Sequence, residues 1–234
     1  MMRSDVDGLQ SFAEDIWIAD GPRVRFVVAS LPTRMIVVKL GDGSLWINSP
    51  VAVSDETLNQ IETIGPIRYL VAPTTLHAWR LEGWRKRFPN AQLWGPPKVS
   101  RGSSHIAFTG LLQNVAPAGW ARDLEQLVFK GNLFIEEVEF LHKKSRTLII
   151  TDFLQNYHAE EGDFAGNIVK KIGGVLNGGV PLDVRLSFID RQRGRKVLAR
   201  LLSWDFDKLI VAHGHCLKHD ARALVENAFR WLSR

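Results

Sequence analysis

The chain alternates between short β-prone runs and stretches with helical spacing, and the order in which they follow one another predicts the elements. From Asp15 to Ser49 the runs Ile16-Trp17-Ile18, Val24 to Val28, Met35 to Leu40 and Ser44 to Ile47 are separated by Asp20-Gly21-Pro22, Leu31-Pro32-Thr33 and Gly41-Asp42-Gly43. Gly supplies positive φ and Pro presets φ, so the breaks read as turns of an antiparallel four-strand meander. Ser54, followed by Asp55 and Glu56, then caps a helix whose apolar face is Leu58, Ile61 and Ile64, and Gly65-Pro66 stops it.

The stretch Val71 to Pro97 organises the rest. Ile67 to Ala72 is a short apolar run that Pro73 ends, which predicts a buried strand. After a loop, Leu81, Trp84 and Phe88 recur at helical spacing, and Pro89-Asn90 stops that helix before a strand at Ala91 to Trp94. A loop at the carboxyl end of such a strand is where open α/β folds bind ligands. Between Lys98 and Trp120 the pattern fades into a surface excursion, a candidate pocket rim. Strands are predicted again at Leu124 to Lys130, Leu133 to His142 and Thr147 to Asp152, the last ending in a carboxylate. Helical patterns at Phe164 to Leu176 and Arg195 to Leu202 follow. A strand at Lys208 to Ala212 then runs into His213-Gly214-His215, and a helix at Asp220 to Leu232 closes the chain.

Composition narrows this picture. With 234 residues and 45% hydrophobic content the chain can bury a sizeable core, and one domain over 1–234 is expected. The eight tryptophans are spread out, which points to core packing and not to one aromatic site. The single cysteine, Cys216, allows no internal disulfide, the N-terminal stretch lacks an apolar signal-peptide core, and no run reaches transmembrane length. These features predict a soluble cytoplasmic protein. The net charge of +5 is divided among Arg85-Lys86-Arg87, His142 to Arg146 and Arg191 to Lys196, in different predicted elements and without interleaved aromatics. Solvated faces explain them, so nucleic acid and membrane are not expected partners; a small molecule or a protein is.

Strands followed twice by helix-strand units suggest two mixed sheets with helices outside, a four-layer αββα sandwich. At this level the chain resembles the metallo-β-lactamase superfamily. Thr74 to Gly83 falls where that superfamily keeps a His-x-His-x-Asp-His motif, Thr147 to Asp152 resembles its strand ending in a metal-bridging Asp, and Val211-Ala212-His213-Gly214 resembles its last His loop. The phrases IWIADG, PTRMIVVKL, PNAQLWGPP, SRTLIITD and GGVPLDVRLSF are more similar still to an uncharacterised branch, a domain of unknown function.

What the resemblance implies for the site is a depleted ligand set. With Gly83 laid on the glycine after the motif, the six positions read Thr75-Leu76-His77-Ala78-Trp79-Arg80, so His77 alone matches a ligand. No His stands near Leu133, where the family's third is expected, whereas Asp152 and His213 are retained. An ordinary dinuclear zinc hydrolase is therefore not expected. Two readings stay open. In one, His77, Asp152 and His213 hold a single divalent metal such as zinc, helped by Glu136, Glu137, His142 or His215, for hydrolysis of an ester, amide or phosphodiester. In the other there is no metal: Arg80 pairs with Asp152, and the site is a relic or a ligand-binding or interaction surface.

Overall fold

The computed structural model describes residues 8–26, 29–96 and 106–233. The chain divides into two compact units, residues 1–112 with 118–123, and residues 113–117 with 124–234. Each is built on one sheet.

In the first unit the sheet has seven strands in chain order: β1 (Gln10–Ala13), β2 (Ile16–Phe26), β3 (Ala29–Lys39), β4 (Leu45–Asn48), β5 (Ile67–Val71), β6 (Gln92–Gly95) and β7 (Gly110–Leu111). Pairing is antiparallel up to β4 and parallel from there on. The expected turns at Asp20-Gly21-Pro22 and Leu31-Pro32-Thr33 are not turns. They lie inside β2 and β3, which pair from Ile16↔Val38 to Phe26↔Ala29 with a register shift between Gly21 and Val24. A bulge is a place where a strand tolerates proline, because the ladder is already interrupted there. Gly21 is required by close approach, since a Cβ would stand 2.6 Å from Val51 Cβ. The Lys98 to His105 part of the expected excursion lies outside the described residues, and the part that follows carries the short strand β7.

Helix α1 (Asp55–Ile64) starts where expected, with Ser54 accepting from Thr57 N–H, and buries Leu58 and Ile61. Helix α2 (Leu81–Arg87) buries Leu81 and Trp84, whose indole N–H donates to Val51 O at 2.9 Å. Both pack on Met35, Val37, Leu45, Ile47, Leu70 and Leu93. Elsewhere in the unit, Trp120 stands edge-on to Tyr69 and to Trp94, with centroids 4.9 Å away in each case. This is the core use of tryptophan that the spread of indoles suggested.

The second unit has the sheet order β11-β10-β9-β8, from β8 (Leu124–Phe129), β9 (Glu137–His142), β10 (Thr147–Ile150) and β11 (Lys208–Val211). Only β10 and β11 are parallel. Helices α3 (Phe164–Ile172), α4 (Leu182–Leu186), α5 (Arg191–Leu202), α6 (Ala221–Ala228) and α7 (Arg230–Ser233) complete it. The expected closing helix is broken at Phe229, and α4 has no counterpart in the sequence reading because a five-residue helix shows little period. The core joins Leu127, Phe129, Leu148, Ile150, Leu209 and Val211 to Leu198, Leu201, Val225 and Phe229. Burying each such side chain contributes about 1.5–3 kcal/mol. Among the described residues no helix is long and apolar enough to cross a membrane.

Candidate metal centre

Asp152 and His213 meet because their strands are parallel and in register. Ile150 pairs with Val211, and each ligand candidate stands two residues past its paired residue, at the carboxyl ends of β10 and β11. Both are buried, and His213 Nε2 lies 3.4 Å from Asp152 Oδ1. That is long for a charge-assisted hydrogen bond, which settles at about 2.7–2.9 Å. It is the separation that two ligands of one tetrahedral metal adopt, about 3.3 Å for bonds of about 2.0 Å. The pair therefore fits a metal of zinc size.

Each member is fixed from below. The Glu137 carboxylate, fully buried, accepts from Thr151 N–H, from Thr151 Oγ1 at 2.6 Å, from Asp152 N–H at 2.9 Å and from Phe153 N–H at 2.7 Å. It ties down the turn that presents Asp152. Burial first, and the Asp152 charge second, raise Glu137 from 4.5 to about 7, against the pull of the Thr151 and Phe153 hydrogen bonds. Glu139, next on the same face of β9 and equally buried, is held well above the ordinary carboxylate range by burial and by the Glu137 charge. On the His213 side, Asn156 N–H donates to His213 O at 3.1 Å, His215 N–H donates to Asn156 O at 2.7 Å, and Asn156 Nδ2 donates to His215 O at 2.7 Å. Gly214 between them has φ +103°, and a Cβ there would sit 2.1 Å from Asn156 O. Glycine is needed on both counts.

The other candidates separate. His142 is buried at the far end of β9, paired with Thr147 at the start of β10, and its Nδ1 lies 2.8 Å from Ser145 Oγ. It is at the opposite end of the sheet from Asp152. Both Glu137 oxygens are engaged by the turn that carries Asp152. Glu136 is half-buried beside it, just before β9. His215 stacks on His158, with centroids 4.2 Å apart and planes 8° apart, a contact that neither residue's position in the sequence announces. His219 is exposed and pairs with Asp220 at 2.9 Å.

In the first unit, Thr75–His77 forms a 3-10 turn after β5, with His77 N–H donating to Thr74 O at 3.2 Å. His77 is half-buried there. Arg80 places its guanidinium 4.2 Å from the centre of the Trp79 ring, which is 53% exposed, and among the described residues its buried Nε has no hydrogen-bond partner. Leu133, in the second unit, is 49% exposed.

A family model, "Domain of unknown function (DUF4336)", matches residues 13–166. The chain belongs to the DUF4336 family. No curated relative matches this DUF4336 chain in sequence. Solved structures show its fold: a metallo-β-lactamase from Pontibacter korlensis superposes with TM-score 0.65 at 11% identity over 97% of this chain and 98% of that one. The FIM-1 metallo-β-lactamase of Pseudomonas aeruginosa in its mono-zinc form gives 0.65 at 10% over 98% and 97%. The metal-soaked Flv1 flavodiiron core of Synechocystis gives 0.66 at 12% over 96% and 60%. The DUF4336 chain thus has the mixed α/β metallo-β-lactamase fold, as the sequence resemblance implied.

Proposed function

We propose that this protein holds a single divalent metal, of zinc type, through His77, Asp152 and His213, and hydrolyses an ester, amide or phosphodiester. The observation that carries the reading is the 3.4 Å Asp152–His213 separation, held on one side by Glu137 and on the other by Asn156. Each of the three residues offers one ligand atom, an imidazole nitrogen or a carboxylate oxygen, which is the donor set zinc prefers. The likeness to a lactamase whose structure is a mono-zinc form supports one metal over two, as do Thr75, Trp79 and Arg80 at the motif positions.

Such a metal supplies Lewis acidity toward a carbonyl or phosphoryl oxygen. The protein's own part is to position. Glu137 and Asn156 would hold the backbone at the two ligand residues, and Arg80, three residues on from His77 and lying over the Trp79 ring, would offer a cation on the same loop. A guanidinium favours a substrate with its own anionic group. Trp79, exposed in place of a carboxylate, gives a planar apolar surface for the rest of it.

Metal analysis of tagless protein tests this. Close to one zinc or manganese per chain is expected, lost in Asp152→Asn and His213→Ala while both stay folded. Two tightly held metals, or none after incubation with zinc and gel filtration, would overturn it.

A further inference from the structure

On the second unit a groove of about 200 Å³ lies between α5 and the edge strand β8. Four cations line it: Lys130, just past the end of β8, and Arg193, Lys196 and Arg200 on α5. Its floor is apolar, from Leu127 and Val197. No carboxylate lines it, and among the described residues none of the four cations is in an ion pair; Arg200 Nη2 only donates to Asn114 O at 3.3 Å. Residues 193, 196 and 200 fall at i, i+3 and i+7, so they share one helix face. The first and last are separated by about 10 Å along the axis.

This arrangement is costly without an anion, because like charges gathered over an apolar floor repel one another. The volume is below the roughly 300–1,000 Å³ of pockets that enclose a whole small molecule. The row is nevertheless longer than one phosphate requires. No aromatic ring lines it, so nothing there stacks a base. β8 and β10 both run antiparallel to β9, so the Lys130 end of the groove is at the end of the sheet that carries Asp152. The sequence shows only part of this, since Lys130 joins the Arg191 to Lys196 cluster through the fold.

We propose that the groove binds a linear phosphate-bearing anion, gripping successive phosphates of a single-stranded oligonucleotide or of a polyphosphate with Lys130, Arg193, Lys196 and Arg200. Binding there does not depend on the metal reading, and Asp152→Asn leaves it unchanged.

The test is fluorescence anisotropy of a labelled single-stranded oligonucleotide on the full chain, with tripolyphosphate and orthophosphate as competitors. The variant Arg193→Gln/Lys196→Gln/Arg200→Gln is compared with Arg85→Gln/Lys86→Gln/Arg87→Gln, which removes the same charge from α2. The groove variant is expected to lose at least about tenfold in affinity, and its slope of log affinity against log salt falls by about 2, from about 0.7 per phosphate contact. The α2 variant stays within about twofold of the parent. Displacement by tripolyphosphate identifies the phosphate row alone as the ligand, and its failure beside groove-dependent oligonucleotide binding identifies a nucleic acid strand. Equal losses in the two variants would reduce the effect to net charge and overturn the proposal. Orthophosphate competing as well as tripolyphosphate, or no binding of either probe, would also overturn it. Lys130→Gln alone, just past the end of β8 and not part of α5, is expected to weaken binding severalfold, which guards against a helix defect in the triple variant.

Discussion

Glu137 accepts a hydrogen bond from the backbone N–H of Asp152 at 2.9 Å, so a buried carboxylate on another strand fixes the backbone from which the ligand candidate projects. Both Glu137 oxygens are used, and all four of its donors lie on Thr151, Asp152 and Phe153. Glu137→Gln replaces one acceptor oxygen by an NH2 that faces N–H donors. A loss of about 1–3 kcal/mol in stability is expected, because buried N–H donors are left facing a donor in place of an acceptor. Zinc affinity should fall about 10- to 100-fold, the usual effect of removing a group that orients a ligand. Zinc titration beside thermal unfolding checks both; parent-like affinity in the variant would mean that the turn holds itself.

Glu139 predicts a pH dependence. Its folded pKa is raised well above the ordinary 4.5, so between the two values the unfolded chain releases a proton that the folded chain keeps. Stability from this group is full below 4.5 and is lost as pH rises, with a limiting slope of about 1.4 kcal/mol per pH unit. Glu137, raised to about 7, adds a loss of the same sign between 4.5 and about 7. Glu139→Gln cannot ionise and keeps a similar shape. Its stability relative to the parent should therefore grow from about pH 5 to about pH 8 in denaturant titrations with chelator present, which removes the pH dependence of metal binding. A constant difference would place the Glu139 carboxyl in contact with water.

Two glycines give opposite expectations. Gly214, at φ +103° and against Asn156 O, cannot accept a methyl group, and Gly214→Ala should cost at least about 1–3 kcal/mol and disturb His213. Gly83 lies inside α2 at no special φ, with nothing within 4 Å of a Cβ, so Gly83→Ala should stabilise by about 0.5–1 kcal/mol through helix propensity. Calorimetry of the two variants reads out both; equal signs would refute the backbone argument.

What was legible in the sequence follows from the range of the forces involved. β5, β10 and β11 are short apolar runs legible in the sequence, and the resemblance to the metallo-β-lactamase superfamily is what points to His77, Asp152 and His213 beyond their ends. The helix cap at Ser54 is local, and it is legible in the sequence. The β2–β3 ladder is not, because Pro22 and Pro32 have the same local chemistry in a bulged strand as in a turn, and only pairing across the sheet separates the two. The hydrogen bonds of Glu137 to the turn at Thr151 to Phe153 are not legible in the sequence, where a carboxylate near an expected site resembles a ligand. The alternation of Glu137 with Glu139 inside the buried strand β9 is the available clue that both point into the protein. The His158–His215 stack had no local clue at all.

The choice between a metal and an arginine as the counter-charge of Asp152 can be made by unfolding experiments. If Arg80 neutralised Asp152 in a dry site, Arg80→Met would leave the carboxylate unpaired, at a typical cost of about 3–5 kcal/mol. Asp152→Asn in the same chain would then recover much of the loss, because the partners go together. The structure gives each residue another partner: Arg80 lies over Trp79 at 4.2 Å, and Asp152 lies beside His213 at 3.4 Å. A half-exposed cation–π contact contributes about 0.5–1 kcal/mol, so Arg80→Met should lose no more than that. The double variant should be additive within about 0.3–0.5 kcal/mol. Chelator should lower the melting temperature of the parent and of Arg80→Met alike and leave Asp152→Asn unmoved, because a metal that binds only the folded chain stabilises it by mass action. A parent indifferent to chelator, together with strong coupling between Arg80 and Asp152, would instead establish the metal-free network.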